Sequence, residues 1–361
     1  MHELNLIFPG LNTCRILVGN GILRNCATYV GESAASQSAI IITDSNVGHV
    51  YAESLLRRLE EAGIIANIIT IPAGENNKNL KTVTEIYGQL ARLYADRGTT
   101  IIGLGGGVVG DTAGFVASTY LRGLPLVHIP TSLLAQVDSS IGGKTGVNFE
   151  GLKNQVGTFY HAALVISDTV TLSTLPPNEF TNGVAEIIKS AVIADSELFT
   201  LLEASIDKLR PDQADLLDEA VFRTVKIKGQ LVSGDEKDTS LRQLLNFGHT
   251  IGHGIETASG LSVRHGEAIA AGMIAAARIS RKMNLLSSND FLRIRSLISR
   301  AGLPLKIGGI DPEDVIQAIK HDKKIKNGKM NFVLITEPGN SLLSREVTLE
   351  MIKMSILEED A

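Results

Sequence analysis

A regular alternation of short apolar runs with amphipathic helical patterns over the first 170 residues constrains this chain most. The predicted strands lie at 39–44, 64–69, 99–104 and 126–130, and the predicted helices at 51–62 and 80–94. Strand–helix alternation of this kind predicts βαβ units and a mainly parallel sheet.

The pattern changes after the Pro176-Pro177 pair, which we interpret as a break between domains. Helical spacing then dominates, at 185–193, 214–233, 266–283 and 288–300, with one short strand predicted at 330–335. A chain of 361 residues exceeds what one hydrophobic core usually organises. We therefore predict an α/β protein, with a Rossmann-like parallel-sheet domain over 1–175 and a mostly α-helical domain over 176–361.

Composition excludes several classes of function. A net charge of −5 offers no basic surface for the phosphates of nucleic acid, so we expect no nucleic-acid partner. No apolar run reaches the roughly 20 residues that span a bilayer, and the N-terminus lacks a signal-peptide pattern. The two cysteines, Cys14 and Cys26, lack metal-site spacing and fit a reducing compartment. We expect a soluble, cytoplasmic protein without membrane contact.

Three of the eight histidines lie within 17 residues, at His249, His253 and His265. Neutral imidazole is the commonest metal-ligating side chain, so this clustering indicates a metal site. Because His249 and His253 stand one helical turn apart, spacing alone predicts that these two are joint ligands.

A glycine-rich segment, 103–110, follows a buried strand and precedes a helical pattern. Gly105, Gly107 and Gly110 match the G-x-G-x-x-G spacing, in which backbone N–H groups and a helix N-terminus bind phosphate. A tight strand-to-helix turn without a ligand stays open as the alternative. Asp44, at the end of an earlier strand, supplies the carboxylate expected at a ribose, so we predict a dinucleotide site.

The segment 129–148 is rich in hydroxyl groups and contains Gly142-Gly143-Lys144-Thr145 near its end. This resembles the end of a P-loop, but the earlier glycine is missing, which argues against an NTPase. Together with Lys153 and Asn154, the segment suits a phosphorylated, polyhydroxylated ligand.

In order, nine motifs of this chain match the 3-dehydroquinate synthases of the sugar-phosphate cyclase superfamily, and the chain resembles them over nearly its full length. The matching blocks lie at 74–78, 105–111, 120–123, 130–145, 153–159, 185–189, 245–253, 265–267 and 321–324. The resemblance implies conversion of 3-deoxy-D-arabino-heptulosonate 7-phosphate to 3-dehydroquinate and phosphate. It further implies transient oxidation by NAD, β-elimination of phosphate, reduction and an intramolecular aldol step, with Zn²⁺ or Co²⁺ and a homodimer.

The resemblance also assigns residues. It places the metal on Glu186, His249 and His265, which leaves coordination positions open, and makes His253 a hydrogen-bonding partner at the reacting group. The implied NAD contacts are Asp44, Asn46, Glu75, Lys78, Gly107, Val108, Val109, Gly110, Asp111, Thr131, Ser132, Lys144, Lys153, Leu172, Ser173, Thr174 and Leu175. The implied substrate contacts are Arg122, Lys144 and Asn154 at the phosphate, Lys228 and Arg242 at the carboxylate, and Asp138, Lys189, Asn246 and Lys323. Ser132 stands where threonine is more usual, and it keeps the hydroxyl group.

Three alternatives stay open at the level of sequence. Another sugar-phosphate cyclase, making 2-deoxy-scyllo-inosose or 2-epi-5-epi-valiolone, would act on a substrate without a carboxylate and would not need the pair Lys228 and Arg242. A metal-dependent polyol dehydrogenase of the glycerol-dehydrogenase type would consume NAD stoichiometrically. A non-enzymatic dinucleotide-binding regulator would not need a metal site with open positions.

Overall fold

The computed structural model describes residues 1–8, 13–34, 37–238, 240–321 and 330–358. The strands are β1 His2–Leu6, β2 Cys14–Gly19, β3 Ser38–Asp44, β4 Ile65–Ile71, β5 Thr100–Gly105, β6 Leu126–Pro130, β7 Lys144–Phe149, β8 Leu152–Phe159, β9 Leu164–Asp168, β10 Phe332–Glu337 and β11 Asn340–Ser344. The helices are α1 Cys26–Ala34, α2 Glu53–Glu61, α3 Leu80–Arg92, α4 Gly107–Thr119, α5 Pro177–Ala194, α6 Ser196–Ser205, α7 Ala214–Gly234, α8 His249–Ala258, α9 His265–Lys282, α10 Ser288–Arg300, α11 Pro312–His321 and α12 Leu349–Leu357.

The chain divides into two compact units. The first contains Met1–Pro176 and Arg210–Ser233, and the second contains Pro177–Leu209 and Gly234–Ala361. The sequence prediction placed all of 176–361 in one domain, and for 210–233 this is wrong. The reason is that α7 packs within the first unit, where a Cβ on Gly229 would lie 2.8 Å from the side chain of Leu6.

A seven-stranded sheet, in the order β1-β2-β9-β6-β5-β3-β4, forms the centre of the first unit. Only β1 runs antiparallel to its neighbour; the other neighbouring pairs are parallel. The strands β5, β6 and β9 are buried along their whole length, as expected for a sheet covered on both faces. An antiparallel hairpin of β7 and β8 lies outside this sheet.

The second unit is mainly helical, and its other elements pack around α9. The positions from Ala268 to Ser280 on this helix are all buried, as expected for a helix that packs on every side. The antiparallel pair β10–β11 completes the unit. The predicted fold class, a parallel-sheet region followed by a helical region, is confirmed.

Two local features differ from the sequence prediction. Pro177 is the first residue of α5, so the Pro-Pro pair starts a helix eight residues earlier than expected; proline is well suited to this position because its missing N–H would be unpaired there anyway. The prediction also omitted β1, β2, β7, β8, β9 and β11. Within the described residues, none of the helices combines the length and the apolar character needed to cross a membrane.

Candidate active site

The glycine-rich segment forms the turn between β5 and α4 in the first unit. Gly105 ends the strand, and Gly107 begins the helix. A Cβ on Gly105 would lie 2.6 Å from Cγ2 of Val109, and one on Gly107 would lie 3.1 Å from Oγ of Ser139. A side chain at Gly105 would collide with Val109 and one at Gly107 would crowd Ser139; without them, the N–H groups of the first turn of α4 stay open to an anion. Val108, Gly110 and Asp111 belong to the same turn.

A polar network links four predicted ligand contacts of the first unit. The buried ammonium of Lys78 donates hydrogen bonds of 2.5 Å to Oδ2 of Asp111 and 2.5 Å to Oδ1 of Asn154. Asn148 donates to Oε1 of Glu75 at 2.8 Å and accepts from the backbone N–H of Asn154 at 2.9 Å. The sequence prediction missed Asn148. Its side chain ties two separate motifs together, and no local pattern would have revealed that role.

Most of the other predicted NAD contacts lie in turns at strand ends. Oδ1 of Asp44 accepts from the N–H groups of Asn46 at 2.8 Å and Val47 at 2.9 Å, so the carboxylate is fixed at the end of β3. Thr131 donates its N–H to the carbonyl of Gly105 at 3.0 Å. Four more predicted NAD contacts lie together in one segment: Leu172, Ser173, Thr174 and Leu175. A hydrogen bond of 2.7 Å between the hydroxyls of Thr174 and Tyr51 fixes this segment. Ser132 accepts the N–H of Ala135 at 3.3 Å, and Lys153 lies exposed on β8.

Asp138 and Lys228, both predicted substrate contacts, form a pair. The Lys228 ammonium donates to Oδ1 of Asp138 at 2.6 Å and to its carbonyl at 2.7 Å. Lys228 is 7% exposed, so its ammonium is not a solvated surface group. Lys144 is exposed at the start of β7. Arg122 is exposed in the turn after α4 with φ of +68°, a left-handed conformation that costs energy for a residue other than glycine.

The second unit brings Glu186, His249 and His265 together, and their ligating atoms all lie within 4.8 Å of one another. Oε1 of Glu186 is 3.5 Å from Nε2 of His249 and 3.4 Å from Nε2 of His265. That oxygen is buried and accepts no hydrogen bond from the described residues. A buried carboxylate oxygen that faces two imidazole nitrogens without hydrogen bonds fits a divalent cation.

Close contact between α8 and α9 positions the two histidines. A Cβ on Gly272 would overlap the carbonyl oxygen of Gly248, and one on Gly252 would lie 2.6 Å from Cδ1 of Ile269. Gly248 has φ of +76° and directly precedes His249. Glycines at this crossing allow the backbones to approach closely, which places His249 near the start of α9, where His265 lies.

His253 and Glu256 lie on the same helix, α8, and border this cluster. His253 is one turn after His249, with ring centroids 5.2 Å apart. Spacing alone predicted that these two are joint ligands, but His253 instead forms a second group of possible ligands with Glu256 and His265. Because Glu186 comes from a distant part of the chain, only the tertiary structure shows its place between His249 and His265.

The electrostatics of the cluster follow from burial and mutual contact. Burial lowers the pKa of His249 well below its usual value, and the nearby Lys189 ammonium adds to the effect. Burial also acts to lower the pKa of His265, but the nearby carboxylates of Glu186 and Glu256 outweigh it and raise that pKa to about 9. Burial would raise the pKa of Glu186, but Lys189 and the two imidazoles together hold it well below the usual value.

The remaining predicted substrate contacts of the second unit each have a different local environment. The Lys189 ammonium forms a buried ion pair with Oε2 of Glu186, one helical turn away on α5. Arg242 is 4% exposed and donates to the carbonyl of Glu236 at 2.7 Å. Asn246 is half-buried at the end of the helical turn Leu241–Asn246. Lys323 lies outside the described residues.

Two family models match the chain. The first, 3-dehydroquinate synthase N-terminal, covers residues 68–182, and the second, 3-dehydroquinate synthase C-terminal, covers residues 183–325. The 3-dehydroquinate synthase of Dehalococcoides mccartyi (strain CBDB1) is 45% identical over 345 residues, which are 96% of this chain and 96% of that protein.

Solved structures of other sugar-phosphate cyclases share the fold. A 2-deoxy-scyllo-inosose synthase complexed with carbaglucose-6-phosphate, NAD⁺ and Co²⁺ has a TM-score of 0.87 at 29% identity, covering 98% of this chain and 99% of its own. The 2-epi-5-epi-valiolone synthase ValA from Streptomyces hygroscopicus subsp. jinggangensis 5008, with NAD⁺ and Zn²⁺ bound, has a TM-score of 0.86 at 29% identity and covers 95% of each chain. The family models together span more than half of the sequence, and the chain belongs to the 3-dehydroquinate synthase family.

Proposed function

We propose that this chain converts 3-deoxy-D-arabino-heptulosonate 7-phosphate to 3-dehydroquinate and phosphate, using NAD and a divalent metal ion. Family membership supports the reaction. The observation that carries the metal dependence is the convergence of Glu186, His249 and His265 on one point, with a buried carboxylate oxygen that accepts no hydrogen bond. When bound, NAD supplies a hydride acceptor that is regenerated in each turnover, and the metal supplies Lewis-acid stabilisation at a substrate oxygen.

In the first unit, the turn between β5 and α4 would hold the dinucleotide pyrophosphate. Its N–H groups and the positive end of the helix attract negative charge, and the absence of side chains at Gly105 and Gly107 permits close approach. Asp44 would accept hydrogen bonds from a ribose, as an acidic residue does at the end of a parallel strand. Lys78, held between Asp111 and Asn154, would supply a fixed positive charge beside the bound ligand.

In the second unit, Glu186, His249 and His265 would hold the metal through one carboxylate and two imidazoles. Three protein ligands leave positions for substrate, as in catalytic rather than structural zinc sites. Lys189 balances the charge of Glu186 and keeps the carboxylate ionised although it is buried. Neutral His249 is the form that binds a metal, and its low pKa favours that form.

The anionic groups of the substrate require fixed cations. We propose that Lys228, whose ammonium is fixed by two hydrogen bonds to Asp138, and Arg242 each bind the carboxylate. Arg122, Lys144 and Asn154 are proposed to bind the phosphate, whose own oxygen would accept the proton lost in the elimination.

A phosphate-release assay tests the proposal. Purified protein with NAD and Zn²⁺ is expected to release phosphate from the heptulosonate phosphate, with no net change in absorbance at the NADH wavelength. Sedoheptulose 7-phosphate serves as the control substrate, because it lacks the carboxylate. Faster release from the control would favour another cyclase, and net accumulation of NADH would favour a polyol dehydrogenase.

Two further properties rest on the resemblance alone. We propose that the protein forms a homodimer, which light scattering of the purified chain would test against the monomer mass of 38.6 kDa. The cytoplasmic location stays a prediction.

A further inference from the structure

The carboxylate of Glu256 lies between two imidazoles of the second unit. Its Oε2 atom is 3.4 Å from Nδ1 of His265 and 4.0 Å from Nε2 of His253. Glu256 is 8% exposed, and an ionised carboxylate buried to this degree needs hydrogen-bonding or charged partners. The Oε2 atom approaches both of these rings.

The ring of His265 thus lies between two carboxylates. Nδ1 faces Glu256, and Nε2 faces the orphaned oxygen of Glu186 at 3.4 Å. An imidazole that donates its Nδ1–H to a carboxylate keeps Nε2 as the lone-pair nitrogen and has its ring plane fixed. The orientation that Glu256 imposes is therefore the one that presents Nε2 to a metal ion.

We propose that Glu256 is a positioning residue for the metal, acting through the tautomer and the orientation of His265. The proposal rests on the metal site of the proposed function and adds a residue that the sequence motifs did not assign. A carboxylate behind a ligating imidazole also raises the basicity of that ligand, and removal of such a partner typically lowers metal affinity about 10- to 100-fold.

A different role for Glu256 makes a different prediction. His253, Glu256 and His265 also bring their ligating atoms within 4.8 Å, so Glu256 could itself be a metal ligand. The orphaned oxygen favours the site at Glu186, because Oε2 of Glu256 already has a hydrogen-bond partner in His265. If Glu256 were a ligand, its loss would abolish binding, whereas the loss of Glu186 would leave binding intact.

Metal affinity of the purified, metal-free full chain tests the proposal. The dissociation constant for Co²⁺ is measured by competition with a chromophoric chelator for the wild type, Glu256→Ala, Glu256→Gln and Glu186→Gln. Glu256→Ala is expected to weaken binding about 10- to 100-fold. Glu256→Gln should weaken it less, since its amide oxygen can still accept the Nδ1–H. Glu186→Gln should weaken binding more than either.

Glu267→Gln is the matched control. It removes a carboxylate from the first turn of α9, two residues after His265, where the side chain contacts Arg264. Its Co²⁺ affinity should remain within about twofold of the wild type, and thermal unfolding of each metal-free variant checks that the fold is retained. The isosteric Glu256→Gln keeps the test valid if the alanine variant does not fold.

Three results would overturn the inference. Equal Co²⁺ affinity for Glu256→Ala and the wild type would show that Glu256 does not position the ligand, and would leave the proposed function standing. Binding abolished in Glu256→Ala but kept in Glu186→Gln would make Glu256 a ligand. A wild-type chain that binds no Co²⁺ would refute the metal site and this inference together.

Discussion

Replacement of Gly272 by alanine tests whether the contact between α8 and α9 positions the histidine cluster. The added Cβ would overlap the carbonyl oxygen of Gly248, a backbone atom that no side-chain rotation can move away. The two helices must therefore separate, and His249, the next residue after Gly248, must shift relative to His265. Both stability and metal affinity should fall.

The magnitude follows from two opposing effects. Alanine is favoured over glycine inside a helix by about 0.8–1 kcal/mol. Overpacking of a close contact costs about 1–3 kcal/mol, and a backbone obstacle places this case at the upper end. The net expectation for Gly272→Ala is a loss of about 2 kcal/mol in the free energy of unfolding. Co²⁺ affinity should also weaken, because metal–ligand distances tolerate errors of only about 0.2 Å.

Gly31→Ala is the matched control, since Gly31 also lies inside a helix, α1, and a Cβ there would meet no atom within 4 Å. This variant should gain about 0.5–1 kcal/mol and leave Co²⁺ binding unchanged. Denaturant unfolding and chelator competition measure the two quantities for each variant. If Gly272→Ala behaves like Gly31→Ala in both, the argument that this crossing positions the histidines is refuted.

Three further outcomes are expected. His249→Ala should lose Co²⁺ binding and phosphate release together, and release that survives in metal-free protein would contradict the proposed mechanism. Lys228→Met should lose about 1–3 kcal/mol of stability in denaturant unfolding, because it leaves Asp138 without its cation. The control Lys226→Met, at an exposed position on the same helix, should change stability by less than about 0.5 kcal/mol. Equal effects of the two substitutions would contradict the pairing of Lys228 with Asp138. Burial lowers the pKa of His128 to about 4, so the unfolded chain binds more protons between pH 6.5 and 4 and stability falls as the pH falls through that range. At pH 5 this loss in the free energy of unfolding amounts to about 2 kcal/mol. Unfolding curves measured at pH 5 and pH 7 should show this loss for the wild type, and His128→Leu should not show the part due to His128.

Much of the fold could be predicted from the sequence because its strands are local apolar runs and its helices have apolar residues at helical spacing. Residues 39–44 and 126–130 were predicted as strands, and β3 and β6 occupy these positions to within one residue. The strand β1 was missed because it is an edge strand with only partial burial, which leaves a weak pattern. The hairpin β7–β8 was missed because the exposed strand β8 lacks a regular apolar pattern.

The sequence also determined the chemistry of the candidate site, since clustered histidines, consecutive glycines and family motifs are local signals. Spacing and periodicity could not determine which of these groups meet, and the set Glu186, His249 and His265 was predicted only through the family resemblance. Glu186 lies 63 residues before His249 in the chain, and only the folding of α5 against α9 brings its carboxylate to the imidazoles. Helical spacing alone favoured His253 as a ligand, because periodicity describes one helix and contains no information on its neighbours.

The assignment of α7 to the first unit was likewise decided by tertiary structure. A helical pattern at 214–233 is compatible with either unit, and chain order placed it in the second. Polar contacts hold α7 within the first unit instead. Lys228 pairs with Asp138, and Asp218 accepts a hydrogen bond of 2.5 Å from the hydroxyl of Thr169. Local sequence determines which segments become helices and strands, whereas partners far apart in the chain determine where each segment packs and which side chains form a site.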